Sequence, residues 1–136
     1  MQRQTRQRQI IEQVLKDAGR PLLPTEVLAL AQRELPQLGI ATVFRALKDL
    51  AESGTARAVQ LPGSGMRYER GDTGHHHHFQ CRQCTRVFDI HACPGEFDHQ
   101  LPQGFSVDDH EVTLYGRCAD CTNDAPGVQL NSSKPV

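Results

Sequence analysis

The segment HHHHFQCRQC, residues 75–84, sets the organisation of this 136-residue chain. It ends in a Cys-x-x-Cys pair, and a second pair follows after 33 intervening residues. A tight turn brings both sulfurs of such a pair to one side, so two pairs can complete the tetrahedral sulfur site that suits structural zinc. The four cysteines are Cys81, Cys84, Cys118 and Cys121. A disulfide or redox motif is the alternative, but the cysteine count of five is odd and the N-terminus lacks an apolar signal core.

The histidine run is internal and leads directly into the first cysteine pair, which argues against an engineered tag. If this stretch is extended, neighbouring side chains point to opposite faces. His75 and His77 then share one face while His76 and His78 share the other, so one run can serve two metal sites. A solvated polar strand is the alternative. The candidates for the remaining ligands are Glu69, Asp89, Glu96 and His110, whereas Cys93 is either a simple thiol or a further metal or redox group.

Charge divides the chain into two halves. Residues 1–71 carry 11 Lys and Arg against 7 Asp and Glu, a net +4, whereas residues 72–136 carry 4 against 9, a net −5. Only the first half favours a polyanionic partner such as DNA. Apolar residues are 38% of the chain, so each half has a thin core that needs a metal or a partner to stabilise it. No apolar stretch of about 18 residues occurs, so we expect no membrane span and a cytoplasmic protein with reduced thiols.

The first half has the pattern of three short helices followed by a hairpin. Apolar residues recur at helical spacing, and Gly19 with Pro21 ends the first helix. The glycine-rich turn at 62–65 reverses the chain between two strand-like stretches. The predicted helices cover about 6–18, a segment from Pro24, and about 41–53, and the predicted strands lie at about 56–61 and 66–69. This order predicts a winged helix-turn-helix.

The third helix carries the most specific information of this half. Its apolar residues cluster on one side of a helical wheel, and Arg45 lies almost opposite them. Such a helix can pack by one face and present Arg45 to a DNA major groove, where arginine reads guanine. A solvated face of an ordinary amphipathic helix is the alternative. The residues placed on the buried side are Ile40, Val43, Leu47 and Leu50.

The second half alternates short strands with polar turns. Strands are predicted at 75–81, 87–90 and 111–115, and a short helix between about Pro94 and Gly104. Residues 123–136 are polar and punctuated by proline and glycine, which predicts a disordered tail.

Three motifs in order resemble the ferric-uptake-regulator family over about residues 5–121. Residues 39–47, GIATVFRAL, resemble its recognition-helix signature, with Phe44 where tyrosine is common. The segment 75–84 resembles its metal stretch, and 114–121, LYGRCADC, its closing motif. The resemblance implies an α+β chain. Its expected parts are a winged helix-turn-helix DNA-binding domain (1–71), a hinge at about 70–75, and a small C-terminal α/β dimerisation domain (76–122) with a four-cysteine zinc site.

The resemblance also implies roles for single residues. The regulatory hinge site would consist of Glu69, His76, His78 and Asp89, and a second site in the dimerisation domain of His75, His77, Glu96 and His110. DNA contacts would come from Arg45, Thr42, Phe44, Arg6 and Arg8. Iron and peroxide sensors of the family often add a histidine near the position of Leu22-Leu23, and that ligand is missing here.

The implied function is a homodimeric repressor that binds inverted-repeat operators of metal-uptake genes when its regulatory metal is bound. Four consecutive histidines and Cys-Ala-Asp-Cys resemble the zinc-uptake branch, although that branch often has a cysteine where this chain has Glu69. We therefore prefer zinc, with manganese, iron or peroxide sensing as alternatives.

A metal-dependent hydrolase is a remote alternative, because so short a chain leaves little material for a substrate cleft. A protein-binding zinc module is a third interpretation, which the net +4 of the first half disfavours. We expect no enzymatic activity and no small-molecule substrate.

Overall fold

Three helices and a hairpin build the first half of the protein. The computed structural model describes residues 2–93, 95 and 97–123. The elements are α1 (Gln2–Ala18), α2 (Pro24–Ala31), α3 (Ile40–Glu52), β1 (Ala56–Leu61), β2 (Ser64–Arg70), β3 (His77–Cys81), β4 (Val87–Ile90), a 3-10 turn (Asp98–Gln100), β5 (Thr113–Gly116) and α4 (Ala119–Asn123). The α+β class and the winged helix-turn-helix are confirmed. No helix in the described part is long and apolar enough to cross a membrane.

Helix α3 packs by one apolar face against α1 and α2. Val43 and Leu47 are fully buried in a core that also contains Ile11 and Val27. The prediction of a buried Ile40 is wrong, because this residue is 37% exposed and Ala46 is buried instead. Ile40 is the first residue of α3, so its side chain lies beyond the part of the helix that packs against α1 and α2. A helical wheel gives the direction of a side chain but not where the core ends along the helix axis.

The hairpin of β1 and β2 is joined to the helices by its own backbone. Leu22, in the α1–α2 connection, exchanges two 2.8 Å hydrogen bonds with Tyr68 on β2. At the base of the hairpin, Gly71 donates its N–H to the Thr55 carbonyl at 2.8 Å. A Cβ atom at Gly71 would lie 2.1 Å from the Gly54 carbonyl oxygen, so only glycine fits this approach. The hairpin is thus held firmly just before the chain leaves it.

The second half contains a three-stranded sheet in the order β4-β3-β5. Strand β3 pairs antiparallel with β4, which puts Asp89 opposite His78. It pairs parallel with β5, so the chain between β4 and β5 crosses from one edge of the sheet to the other at the end where β3 begins. The helix predicted between about Pro94 and Gly104 is wrong for the described residues there, which form only the 3-10 turn Asp98–Gln100. Gly95 and Gly104 have φ of 133° and 91°, values that interrupt a helix, and Pro94 lies outside the described residues.

Helix α4 was not predicted from the sequence. It begins directly after Cys118, and the Thr122 N–H donates to the Cys118 carbonyl at 2.9 Å. This turn places Cys121 on the same side as Cys118. The expected disordered tail falls largely on residues 124–136, which lie outside the described residues, and Asn123 ends α4.

A small junction joins the hairpin to the three-stranded sheet. Val59 and Leu61 of β1 pack against the fully buried Val87 of β4. The buried Arg67 of β2 donates from Nη2 to the Thr85 carbonyl at 2.8 Å, in the turn that carries the first cysteine pair. The junction combines apolar packing with a hydrogen bond from a charged donor, so it positions the end of β2 against β3.

Candidate metal centres and nucleic-acid interface

The two cysteine pairs meet at one end of the three-stranded sheet, where they form a four-cysteine cluster. Cys81 ends β3, and Cys84 lies in the following turn, which is closed by a 2.9 Å hydrogen bond from the Thr85 N–H to the Cys81 carbonyl. The four sulfur atoms lie within 4.8 Å of one another, with Cys84 and Cys118 Sγ 3.7 Å apart. Tetrahedral zinc with bonds of about 2.3 Å separates its sulfurs by about 3.8 Å. The 3.7 Å between the sulfurs of Cys84 and Cys118 is far longer than a disulfide bond of about 2.05 Å, so the sulfur geometry fits zinc and not a disulfide.

Hydrogen-bond donors prepare part of the four-cysteine cluster for a cation. Burial raises the pKa of the Cys81 thiol, but backbone N–H groups of Cys84, Cys118 and Gln83 outweigh it and hold that pKa at about 5. Burial also opposes ionisation of Cys84, yet Arg86, whose Nε donates to Cys84 Sγ at 3.2 Å, lowers its pKa. Burial and the neighbouring sulfurs raise the pKa of Cys121 to about 12. Four thiolates therefore need a bound cation to balance their charge, which suits zinc.

A second group of ligands spans the junction between the hairpin and the sheet. Glu69 comes from the end of β2, His78 and Asp89 from paired strands, and His76 from the segment just before β3. His76 Nε2 lies 3.0 Å from Glu69 Oε2 and 3.3 Å from Asp89 Oδ1. His78 Nε2 lies 3.5 Å and 3.4 Å from the same two oxygens. We call these four residues the hinge cluster. The structure brings together the whole set that the resemblance implied.

The hydrogen bonding of the hinge cluster fits a divalent cation. His76 Nδ1 donates to the Gly74 carbonyl at 2.6 Å, which leaves Nε2 directed at two carboxylates. A metal-binding histidine is typically oriented by such a bond from its other nitrogen. Glu69 Oε1, His78 Nε2 and Asp89 Oδ1 are buried and have no hydrogen-bond partner among the described residues. Unpaired buried polar atoms are costly, and one cation among them would satisfy several at once.

The charge state of the hinge cluster supports the same conclusion. Burial alone would lower the pKa of His78, but the carboxylates of Asp89 and Glu69, 3.4 and 3.5 Å from its Nε2, dominate and raise it to about 9. The two carboxylates thus require positive charge at neutral pH, from a proton or from a metal ion that replaces it. The ligands are all nitrogen and oxygen, a set that zinc, manganese and iron(II) can each accept.

The opposite face of the histidine run forms a third group. The ring centroids of His75, His77 and His110 lie 4.6 to 5.0 Å apart. Alternation along the extended segment places His75 and His77 away from the hinge cluster, as the sequence predicted. Burial, together with the neighbouring His75 and His110, lowers the pKa of His77, which favours the neutral ring that a metal ligand needs. Glu96, the fourth ligand implied by the resemblance, lies outside the described residues.

The exposed side of α3 carries the expected DNA-contacting residues. Arg45 is exposed and donates from Nη2 to Thr42 Oγ1 at 3.2 Å, while Phe44 is 52% exposed beside it. Arg8 of α1 pairs with Asp49 of α3 at 3.2 Å, and it lines one groove together with Thr42 and Arg45. A guanidinium and an exposed ring on one helix face suit contacts to base edges and phosphates. Arg6 lies elsewhere, in a shallow cleft beside Leu35, Gln37 and Leu38.

Comparisons with known proteins agree on one family. The family described as the Ferric uptake regulator family matches residues 2–115. The "Ferric uptake regulation protein" of Campylobacter jejuni is 28% identical over 131 residues, covering 93% of this chain and 83% of the relative. The "Transcriptional regulator FurA" of Mycobacterium tuberculosis is 35% identical over 109 residues, covering 75% and 72%.

Solved structures share the fold. The ferric uptake regulator Fur of Helicobacter pylori aligns with a TM-score of 0.67 at 24% identity, over 86% of this chain and 80% of that one. A zinc-bound manganese uptake regulator aligns with a TM-score of 0.72 at 23% identity, over 82% and 87%. The match of the family over residues 2–115 and the identity to FurA agree with three ligand clusters and with the exposed side of α3. This chain is therefore a member of the Ferric uptake regulator family of metal-responsive transcriptional regulators.

Proposed function

We propose that this protein is a homodimeric repressor whose hinge cluster binds zinc and thereby enables binding to inverted-repeat operators of metal-uptake genes. In this proposal residues 1–71 are the DNA-binding domain, about 70–75 the hinge, and 76–122 the dimerisation domain. The observation that carries the proposal is that Glu69, on the hairpin, lies within 3.0 to 3.5 Å of two histidines of the other half. A metal ion held there links the recognition helix to the sheet.

The link acts by shifting a conformational equilibrium. Without the ion, the two DNA-binding domains of a dimer can adopt many spacings. With it, the conformer in which Glu69 meets His76, His78 and Asp89 is favoured, and both α3 helices can match major grooves about 34 Å apart. The ion shifts the equilibrium only by its difference in affinity for the two conformers. The four-cysteine cluster holds structural zinc in this proposal and does not exchange during regulation.

Manganese, iron or peroxide sensing are the alternatives, because the hinge ligands are nitrogen and oxygen only. Zinc is preferred for the motif pattern of the histidine run and the closing cysteine pair. Members of this family are regulators and not enzymes, so the remote hydrolase hypothesis is not retained. Titration with zinc, manganese and iron(II) under metal-buffered, anaerobic conditions distinguishes the metals.

The proposal is tested by removing the hinge ligands from either side. Glu69→Gln keeps the side-chain volume, and His76→Ala with His78→Ala removes both imidazoles. Each protein should remain folded and keep the zinc of the four-cysteine cluster. Metal should no longer strengthen its DNA binding by the roughly 5- to 150-fold typical of coupled sites. Glu34→Gln changes an exposed carboxylate outside the cluster and should respond like the wild type. An intact metal response in the hinge variants would defeat the proposal.

A further inference from the structure

Cys93 lies beside the third group of ligands, although no motif places it there. Its Sγ is 3.4 Å from His110 Nε2, and one ligand atom from each of His75, His77, Cys93 and His110 lies within 4.8 Å of the others. Cys93 belongs to neither Cys-x-x-Cys pair, and it is separated from His110 by 16 residues of the crossing between β4 and β5. Three imidazoles and one thiol therefore converge from separate segments on one point.

An independent observation marks the same point as a ligand site. His77 is only 2% exposed, and its Nε2 has no hydrogen-bond partner among the described residues. The Val112 N–H donates to its other nitrogen, Nδ1, at 3.2 Å. The neutral ring that accepts this bond carries its proton on Nε2. A cation binds Nε2 of the other tautomer, in which the proton has moved to Nδ1 and the Val112 contact is given up. A buried ring nitrogen without a partner is costly, and a bound cation removes that cost.

The mixture of donors decides which cation fits. Thiolate is a soft ligand that favours zinc, whereas manganese prefers carboxylate, carbonyl and water oxygens. Three imidazole nitrogens and one sulfur are a closed four-ligand set for tetrahedral zinc. The hinge cluster has no sulfur, so the two faces of the histidine run differ in the metals that they accept.

We propose that Cys93 is a metal ligand, which with His75, His77 and His110 forms a zinc-selective site of three nitrogens and one sulfur. The site differs in kind from the hinge cluster, which accepts zinc, manganese or iron(II). Zinc binding at this site does not depend on whether metal at the hinge cluster controls DNA binding.

Cobalt(II) substitution tests the thiolate ligand directly. The full chain is prepared with zinc in the four-cysteine cluster, and cobalt(II) is added anaerobically. Cobalt at the hinge cluster has no sulfur ligand, so an absorption band from thiolate-to-cobalt charge transfer should arise from Cys93. We expect this band in the wild type and its loss in Cys93→Ser. His99→Ala, which changes an exposed histidine of the same crossing segment, is the matched control and should keep the band.

Zinc affinity gives a second readout. Loss of a group that merely supports a ligand lowers metal affinity by roughly 10- to 100-fold. Loss of a ligand should therefore lower the zinc affinity of one site per chain by at least about tenfold. Competition with a chelator should show this weakening in Cys93→Ser and not in His99→Ala, with manganese affinity changed less. Equal bands in the wild type and Cys93→Ser would assign the signal to cobalt in the four-cysteine cluster and would overturn the proposal, as would unchanged zinc affinity.

A third measurement uses the unmodified protein and does not depend on the folding of any variant. Cys93 is the exposed cysteine of the five, so iodoacetamide should modify it first. Zinc added beyond the equivalent held by the four-cysteine cluster should slow this modification at least about tenfold if the sulfur binds the ion. Mass spectrometry of the peptide containing Cys93 measures the rate. A rate unaffected by zinc would contradict the proposal even if the cobalt spectra were ambiguous.

Discussion

In the proposed function, Arg45 is the residue on which DNA recognition depends most directly. It is exposed on α3, and its guanidinium is held near Thr42 rather than by a carboxylate. We predict that Arg45→Ala weakens operator binding by about 1–3 kcal/mol and relaxes specificity at one base pair, while the dimer is retained. Arg117→Ala removes the same charge from an exposed position in the other half and should bind DNA like the wild type. Equal affinities of the Arg45→Ala variant and the wild type in a mobility-shift titration would refute this assignment.

Single residues also show what sequence reasoning could and could not predict. Alternation in an extended segment was enough to separate His76 and His78 from His75 and His77, because strand geometry is local. The position of Cys93 depends on the path of the crossing between β4 and β5, which no local pattern specifies. The contact between Cys93 and His110 is consequently visible only in three dimensions.

Among the elements, the base of the hairpin leaves the least space for a side chain. A methyl group at Gly71 would lie 2.1 Å from the Gly54 carbonyl oxygen, a backbone atom that cannot rotate away as a flexible side chain could. Gly71→Ala should therefore destabilise the protein by about 1–3 kcal/mol, the usual cost of overpacking. It should also weaken the metal response, because Glu69 lies two residues earlier in the chain. Gly74→Ala, where a Cβ meets nothing within 4 Å, is the matched control.

Denaturant unfolding measures this difference. A lower urea midpoint for Gly71→Ala, with an unchanged slope, reports a loss of stability, and Gly74→Ala should match the wild type. The same midpoint for both variants would show that the approach of Gly71 to Gly54 does not constrain the hairpin.

Whether an element can be predicted from the sequence depends on how far apart in the chain its interacting residues lie. Helices α1 to α3 and the hairpin were predicted because periodicity, proline and glycine act within a few residues. Helix α4 was missed, since its five residues are too few to show a helical period. The parallel pairing of β3 with β5 was not predicted, because it joins residues 35 positions apart, such as His78 and Thr113.

For the whole molecule, the two halves differ in what stabilises them. The first half has one extended apolar core around Ile11, Val27 and Leu47. The buried apolar residues around the sheet are few, namely Val87 with its hairpin partners and three of the cysteines themselves. Binding energy at a structural zinc site is folding energy. The second half should accordingly depend on zinc, whereas the first should not.

Removal of the zinc proposed for the four-cysteine cluster should therefore have a local effect. We predict that Cys81→Ser, or a strong chelator, unfolds or monomerises the second half and leaves helices α1 to α3 intact. Circular dichroism at the helical bands, combined with sedimentation and zinc analysis, separates these effects. A stable dimer that has lost one zinc per chain would count against the structural role of the four-cysteine cluster.

The most direct test compares the DNA affinity of the protein with and without metal at the hinge cluster. Promoter fragments selected from genomic DNA by the zinc-loaded protein serve as the probe, and fluorescence anisotropy at fixed salt measures Kd. With zinc kept in the four-cysteine cluster, adding metal to the hinge should tighten binding by about 5- to 150-fold. Equal Kd values for the stripped and loaded forms would contradict the claim that an ion between Glu69 and the histidines controls the spacing of the DNA-binding domains.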